Sequence, residues 1–333
     1  MRGCGSEDAE STEITKSRPR PPLKGESRPA PDNMKSGILL IDKPPGPSSF
    51  EVVRRVKRAL KAKKAGHGGT LDPFATGLLL LCLGEATKLV PFLMPEPKTY
   101  RATVKLGEET DTQDPTGQVT ARSEKLPGPE EVYAAASRFL GEIEQIPPMY
   151  SALRHQGERL YKKARRGEKV DVKPRKVTIY SLEVQEVVLP LVTLEVRSSP
   201  GTYIRTLAAD LGRTLSCGAH LAELRRLAVG PFKVEEALTL EALGELSREE
   251  LAARIIPLAD CLPELQALPV GPEEAERLRQ GQALPWPGNR LSPGERVRVL
   301  QDKELLALAE VRAEAERLVL APIRVFMSVS SKQ

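Results

Sequence analysis

Residues 66–77, GHGGTLDPFATG, constrain this chain more than any other stretch. Gly66, Gly68 and Gly69 free the backbone ahead of a single acid, Asp72, and Pro73 fixes φ just behind it. Gly, Asp and Pro together make a turn whose backbone can approach a ligand closely. The turn runs straight into six apolar residues, 78–83, enough for one buried element. It is preceded by residues 54–64, which hold seven Lys or Arg and no acid. A fold that satisfies all three segments holds one carboxylate on a shaped loop, backed by apolar packing and fronted by positive charge. An Asp-Pro pair alone is most often only a turn. In this setting a flexible polyanion drawn in by the charge would meet that one carboxylate.

At 333 residues the chain exceeds a usual single core and is expected to form about two domains. The net charge of +5 is modest, so the placement of charge says more than its total. A second basic run, residues 154–176, sets ten Lys or Arg against Glu158, Glu168 and Asp171. One such run is usually a solvated face; two that flank the loop motif point to a phosphate-backbone partner. Cys4, Cys82, Cys217 and Cys261 form no Cys-x-x-Cys pair, and His67, His155 and His220 lack ligand spacing. Neither a disulfide framework nor a metal site is therefore expected. No P-loop or dinucleotide glycine pattern is present. No stretch of about 20 apolar residues and no apolar N-terminal core occurs, and a reduced, cytoplasmic location without membrane contact is expected.

Residues 1–33 balance six bases against six acids, with Ile14 and Leu23 the only large aliphatic side chains after Met1. This leader cannot offset its chain entropy and is expected to be disordered, with Met34 a candidate start. Residues 38–41 read as a strand closed by Pro44 and Pro45. A helix follows to about residue 60, capped by Ser48 or Ser49, with Phe50, Val53, Val56 and Leu60 on one face and Arg54, Arg55, Lys57 and Arg58 on the other. Residues 98–107 alternate as a strand, with Tyr100, Ala102, Val104 and Leu106 on one side. Residues 129–140, 203–215, 219–227 and 248–255 read as helices, and 177–188 and 191–197 as strands. The mixture predicts an α+β domain around a mostly antiparallel sheet. From about residue 263 a proline-punctuated linker leads to a helix (272–280) and three short strands, a small β-rich domain ending near residue 327 and followed by a tail, 328–333.

The string at 66–77 closely resembles the catalytic motif of the TruB family of tRNA pseudouridine synthases. LLIDKPPGPSS (39–49), KTYRATVKLGEETDTQDPTG (98–117), PPMYSALRHQGERLYKKARRG (147–167), GTYIRTLAADLG (201–212) and CGAHLAELRRL (217–227) resemble further family segments in the family's order. The resemblance covers roughly residues 37–230. It implies the pseudouridine synthase fold over 34–262, with a central cleft across the sheet and a mobile RNA-gripping loop at about 147–176. It also makes residues 263–327 similar to a PUA-type RNA-binding domain.

The reaction so implied breaks the uridine N1–C1′ bond and rejoins the base through C5, with no redox change and no cofactor. By resemblance Asp72 is the nucleophile, either adding at C1′ or first taking a proton from C2′. Arg205 is its partner, and Tyr100 stacks on the extruded uracil and is the candidate base at C5. Tyr203 and Leu224 belong to the pocket, His67 holds the rearranged RNA loop, and Lys43 lies near the active-site loop. Arg225 and Arg226 would meet phosphates, although adjacent arginines on the predicted helix point apart, so not both need do so. Tyr150, Arg154 and the basic run would close on the RNA. The expected substrate is the uridine at position 55 in the T arm of tRNA, acted on by a monomer with no obligate protein partner. Two rivals are a guide-RNA-dependent homologue, with a longer C-terminal region and protein partners, and a non-catalytic RNA-binding protein or tRNA folding chaperone on the same scaffold. The short C-terminal domain disfavours the first; retention of Asp72, Tyr100 and Arg205 together disfavours the second.

Overall fold

The computed structural model describes residues 35–151, 153–155, 157–168, 170–286, 291–314 and 317–327. The predicted leader, Met34 and the tail 328–333 lie outside the described residues. The apolar run after the motif forms the inner part of β3 (Thr76–Leu83), in which every residue from Leu78 to Leu83 is fully buried. β3 pairs antiparallel with β1 (Gly37–Lys43) along its whole length, and at its far end with β2 (Ala65–His67). Its odd-numbered leucines face α1 (Ser49–Ala59); its even-numbered ones join a separate cluster on the opposite face. Each such side chain contributes roughly 1.5–3 kcal/mol through burial.

α1 begins as its sequence predicts, with Ser48 Oγ accepting from the Glu51 amide at 3.2 Å. Its rotation differs from the prediction. Ser49, Val52, Val53 and Val56 are buried, whereas Phe50 is 72% exposed. Ser49 sets this rotation: its hydroxyl donates to Leu71 O and accepts from Leu71 N, both at 2.9 Å.

The sheet continues through β4 (Lys98–Leu106), β5 (Gly141–Gln145), β6 (Arg175–Val188), β7 (Leu191–Ser198) and β8 (Ala219–Val229). Its main path runs from a short strand, Leu238–Thr239, through β1, β3, β8, β4, β7 and β6 to β5, within an eleven-stranded sheet of described residues. Pairing is antiparallel throughout except at Leu238–Thr239 with β1 and at β3 with β8. The mixed, mostly antiparallel sheet is thus as the sequence predicts. α2 (Pro129–Ser137) and α3 (Ile204–Thr214) flank the core formed on β4, β7 and β8, and α4 (Arg248–Ala253) opens with a capping box on Ser247.

The predicted helix at 219–227 is strand β8, central between β3 and β4. Two bulges, at Leu221/Glu223 and Arg226/Ala228, shift its register against β4. Each extra residue resets the alternation, so Leu221 and Leu224, three apart, both face the same core. Bulged strand thereby imitates helical spacing in a segment that also favours helix by propensity.

C-terminal to this sheet, β9 (Gln266–Pro269), α5 (Pro272–Arg279), β10 (Leu284–Pro285), β11 (Arg296–Gln301), β12 (Glu304–Glu314) and β13 (Arg317–Val325) form a second sheet of order β9-β11-β12-β13-β10 with its helix. Leu305, Leu308 and Phe326 of this part pack with Ile38, Leu78 and Leu80 of the larger sheet in one apolar cluster.

Candidate active site

The motif loop is held from below. Lys43, fully buried at the end of β1, donates from Nζ to the carbonyls of Pro44 (2.9 Å), Pro73 (3.0 Å) and Ala75 (2.6 Å). Burial lowers its pKa to about 8, and the charge of Asp72 opposes that shift. Gly77 closes the loop at φ +97°, where a Cβ would stand 2.3 Å from Arg226 O; only glycine permits this approach of β3 to β8. Lys43→Met should leave three carbonyls without their donor. We expect a stability loss of about 1–3 kcal/mol, since relief of the buried charge offsets part of the lost bonding. Turnover should fall with it. Thermal melting and single-turnover assays check this; wild-type values in both would show that the loop is held by other contacts.

Above this support, Asp72 meets Arg205 from the first turn of α3, with Nε 3.1 Å from Oδ2. The Asp72 side chain is 37% exposed and the Arg205 side chain 6%. Both Nη atoms of Arg205 are held as well. Nη1 donates to Asp114 Oδ2 at 3.1 Å and to Thr112 O at 3.2 Å, and Nη2 to Tyr150 O at 2.8 Å. Asp114 is buried in its turn, its Oδ1 accepting from Thr112 Oγ1 (2.7 Å) and from the Thr116 amide (3.0 Å). A planar guanidinium held at all three nitrogens is kept from swinging away, so it holds Asp72 in one geometry. Burial raises the Asp72 pKa from its ordinary 3.8, Arg205 opposes the shift, Asp114 adds to it and Lys43 opposes it.

These groups open into a cavity of about 290 Å³, lined among others by Leu71, Asp72, Tyr100, Tyr203, Arg205 and Leu224. That volume is at the small end of ligand pockets, with apolar walls and a few convergent polar groups. Tyr100 sits on β4 with Ala102 and Val104 on the same side, half-buried at the edge of their core. Tyr203 precedes α3, its amide donating to Gln145 Oε1 at 3.0 Å, and burial raises its phenol pKa. Lys98, also lining the cavity, donates to Met94 O and Glu96 O, and burial lowers its pKa to about 8. Among the described residues no group of three or more His, Cys, Asp or Glu could hold a metal ion.

Most of the residues singled out in the sequence are brought together here, from loops and strands far apart in the chain. His67 ends β2 at the loop, its imidazole held below its ordinary pKa by burial and then by Arg226. Tyr150 enters through its carbonyl, on Arg205. The two adjacent arginines sit on strand β8 rather than on a helix, and so point to opposite faces. Arg225 is half-exposed and grips Asp42 with two bonds, 3.0 and 2.6 Å. Arg226, 2% exposed, donates to Leu78 O (2.7 Å), Gly69 O (3.2 Å) and Thr70 O (3.4 Å) and lies against the Tyr100 hydroxyl. It is a wall of the cavity, turned inward from any surface a phosphate reaches. Arg154 lies on a short strand, Arg154–His155; its side chain is outside the described residues. Sequence reasoning missed Asp114 and Lys98. Asp114 stands in the same segment as Tyr100, but nothing local marks one acid of EETDTQD as the partner of an arginine 91 residues away.

The fold has counterparts among solved structures. A chain of a Cbf5–Nop10–Gar1 complex superposes with TM-score 0.69 at 29% identity, covering 90% of this chain and 88% of that one. Cbf5 in a Nop10–Cbf5 complex gives 0.67 at 28%, covering 90% and 89%. The scaffold is that of the pseudouridine synthases, which are isomerases. Residues 57–204 match the model of the TruB family pseudouridylate synthase N-terminal domain, and residues 205–263 that of the tRNA pseudouridylate synthase B C-terminal domain. A tRNA pseudouridine synthase B of Geobacter sulfurreducens is 46% identical over 284 residues, 82% of this chain and 93% of that protein. That of Ralstonia nicotianae is 48% identical over 267 residues, 79% and 85%. This chain belongs to the TruB family of pseudouridine synthases.

Proposed function

We propose that the chain isomerises the uridine at position 55, in the T arm of tRNA, to pseudouridine, with Asp72 as nucleophile. The observation that carries this reading is the Asp72–Arg205 pair, 3.1 Å apart at the mouth of a base-sized cavity beside Tyr100. Addition at C1′ and abstraction at C2′ both start from the ionised carboxylate, which Arg205 favours against burial. No side chain reaches C1′ of a stacked nucleotide, so the uridine must be extruded to enter the cavity. Once the N1–C1′ bond breaks, its electron pair stays with the base, which is kept between Tyr100 and Leu224 and turns to present C5. C5 bonds to C1′ as the Asp72–C1′ bond breaks on the addition route, or as C2′ regains its proton on the abstraction route. The C5 proton then leaves, with Tyr100 the acceptor on this reading, and N1 takes up a proton, so none is gained or lost overall. The five-stranded C-terminal part is read as a PUA-like RNA-binding domain. Purified protein and unmodified tRNA transcript, without added metal or nucleotide, should give pseudouridine at position 55 by position-resolved mapping. No product there, or product only at other uridines, would overturn the assignment.

The basic loop is the second RNA contact on this reading. Neutralising Lys162, Lys163, Arg165 and Arg166 should weaken tRNA binding and flatten its salt dependence, by roughly 0.7–0.9 log units of slope for each phosphate no longer neutralised. Arg166 is expected to add little. It holds Glu158 with two bonds and Glu168 with one, all at 2.7 Å, so its charge is already matched. Binding isotherms at several salt concentrations test this; an unchanged slope would make the run a solvated face.

A further inference from the structure

Phe50 is 72% exposed, and it stands next to Ser49, whose hydroxyl brackets Leu71 at the wall of the cavity. α1 then runs from that loop to β2, the strand that ends at His67. It therefore touches the motif segment near both ends, at β2 and at Leu71. Its first turn lies beside the cavity, because Leu71, which Ser49 fastens, lines it. On the outward side of the helix, Arg54 and Arg58 continue from Phe50 at four-residue steps, about 12 Å of helix, with Lys57 beside them. All three are exposed. Neither Lys57 nor Arg58 has a carboxylate within salt-bridge distance among the described residues, and Arg54 reaches Glu51 only at 3.9 Å.

We infer that this stripe is a docking track for the substrate RNA beside the extruded uridine: Arg54 and Arg58 meet phosphates, and Phe50 stacks on an unpaired base next to the target. The inference rests on the RNA substrate proposed above. Two features select RNA as the occupant. Cations outnumber carboxylates along the stripe, with Lys57 and Arg58 lacking an acidic partner among the described residues, and the stripe is headed by an aromatic ring at the end where bases must leave their stack. A base–aromatic stack is indifferent to salt, whereas phosphate contacts are not, so the two halves of the track are separable.

The test uses full-length protein and unmodified tRNA transcript. Phe50→Ala should weaken binding roughly 5- to 150-fold, the loss expected for one base stack, with an unchanged salt slope; Phe50→Tyr should restore binding. Arg54→Gln with Arg58→Gln should lower the slope by roughly 0.7–0.9 for each phosphate released. Single-turnover rates at saturating RNA should stay at wild type in all three, since none of these side chains reaches the cavity. Wild-type affinity in Phe50→Ala, or an unchanged slope in the double variant, overturns the inference while leaving the activity assignment intact; a wild-type protein without activity on tRNA would overturn that assignment instead. A Phe50→Ala protein that sediments differently from wild type without RNA would place Phe50 between copies of the chain and equally overturn the inference.

Discussion

Asp72→Asn should abolish turnover, by roughly 10⁴-fold or more, while leaving tRNA affinity within about twofold of wild type, as expected when a group that acts only in the chemical step is removed. The amide keeps the shape of the side chain and can still meet Arg205, but it has no charged oxygen to attack or to take a proton. Stability should not suffer. Because the folded-state pKa of Asp72 is raised, its ionised form costs the fold at neutral pH, and that cost disappears only as the pH falls through the raised value. Asn removes the cost at every pH, so the melting temperature at pH 7 should equal or exceed that of wild type. The same shift predicts an acid limb in the wild-type rate at a pH above the ordinary aspartate value of 3.8, as the carboxylate is protonated. Product formation by the Asn protein at a near-normal rate would remove Asp72 from its role. A wild-type rate that stays flat through the raised range would show that the chemistry does not need the ionised form.

Arg205→Lys should cost about 10²-fold or more in single-turnover rate although the charge is kept. One guanidinium makes four contacts in one plane: Asp72, Asp114, Thr112 O and Tyr150 O. An ammonium on a flexible stem can reach one or two of them, leaving a buried acceptor unsatisfied and Asp72 free to turn. A displacement of about 1 Å at a reacting group is enough for a loss of that order. The fold should weaken as well, since Asp114 is 6% exposed and depends on this partner. The effect should fall on kcat more than on RNA affinity, because the contacts are within the protein. Wild-type turnover in Arg205→Lys would mean that the Asp72–Arg205 geometry does not matter to the reaction.

What the sequence determined by itself was local or linear. The glycines and Pro73 around one acid, the apolar run behind it, the Ser48 cap and the alternation on β4 each follow from properties of adjacent residues, and each is found where the chain predicts it. The family's motifs, in order, carried Asp72, Tyr100, Tyr203, Arg205, Leu224 and Arg226 to one cavity. Three matters were settled only by the tertiary structure. β8 forms a strand because β3 and β4 offer it hydrogen-bonding edges on both sides, which outweighs a helical propensity of a few tenths of a kcal/mol per residue; its bulges hide that outcome from any count of spacing. Phe50 is turned outward because Ser49 is fastened to Leu71, a contact 22 residues away in sequence that fixes the rotation of the whole helix. Arg225 and Arg226 are expected from the chain to point apart, but only the pleat decides that Arg225 goes to the surface beside Asp42 and Arg226 inward under the motif loop. The choice of Asp114 as the second partner of Arg205 is of the same kind. Sequence specifies which groups are available, and only the pairing of distant strands decides which of them share a desolvated space, where an unpaired charge is too costly to leave.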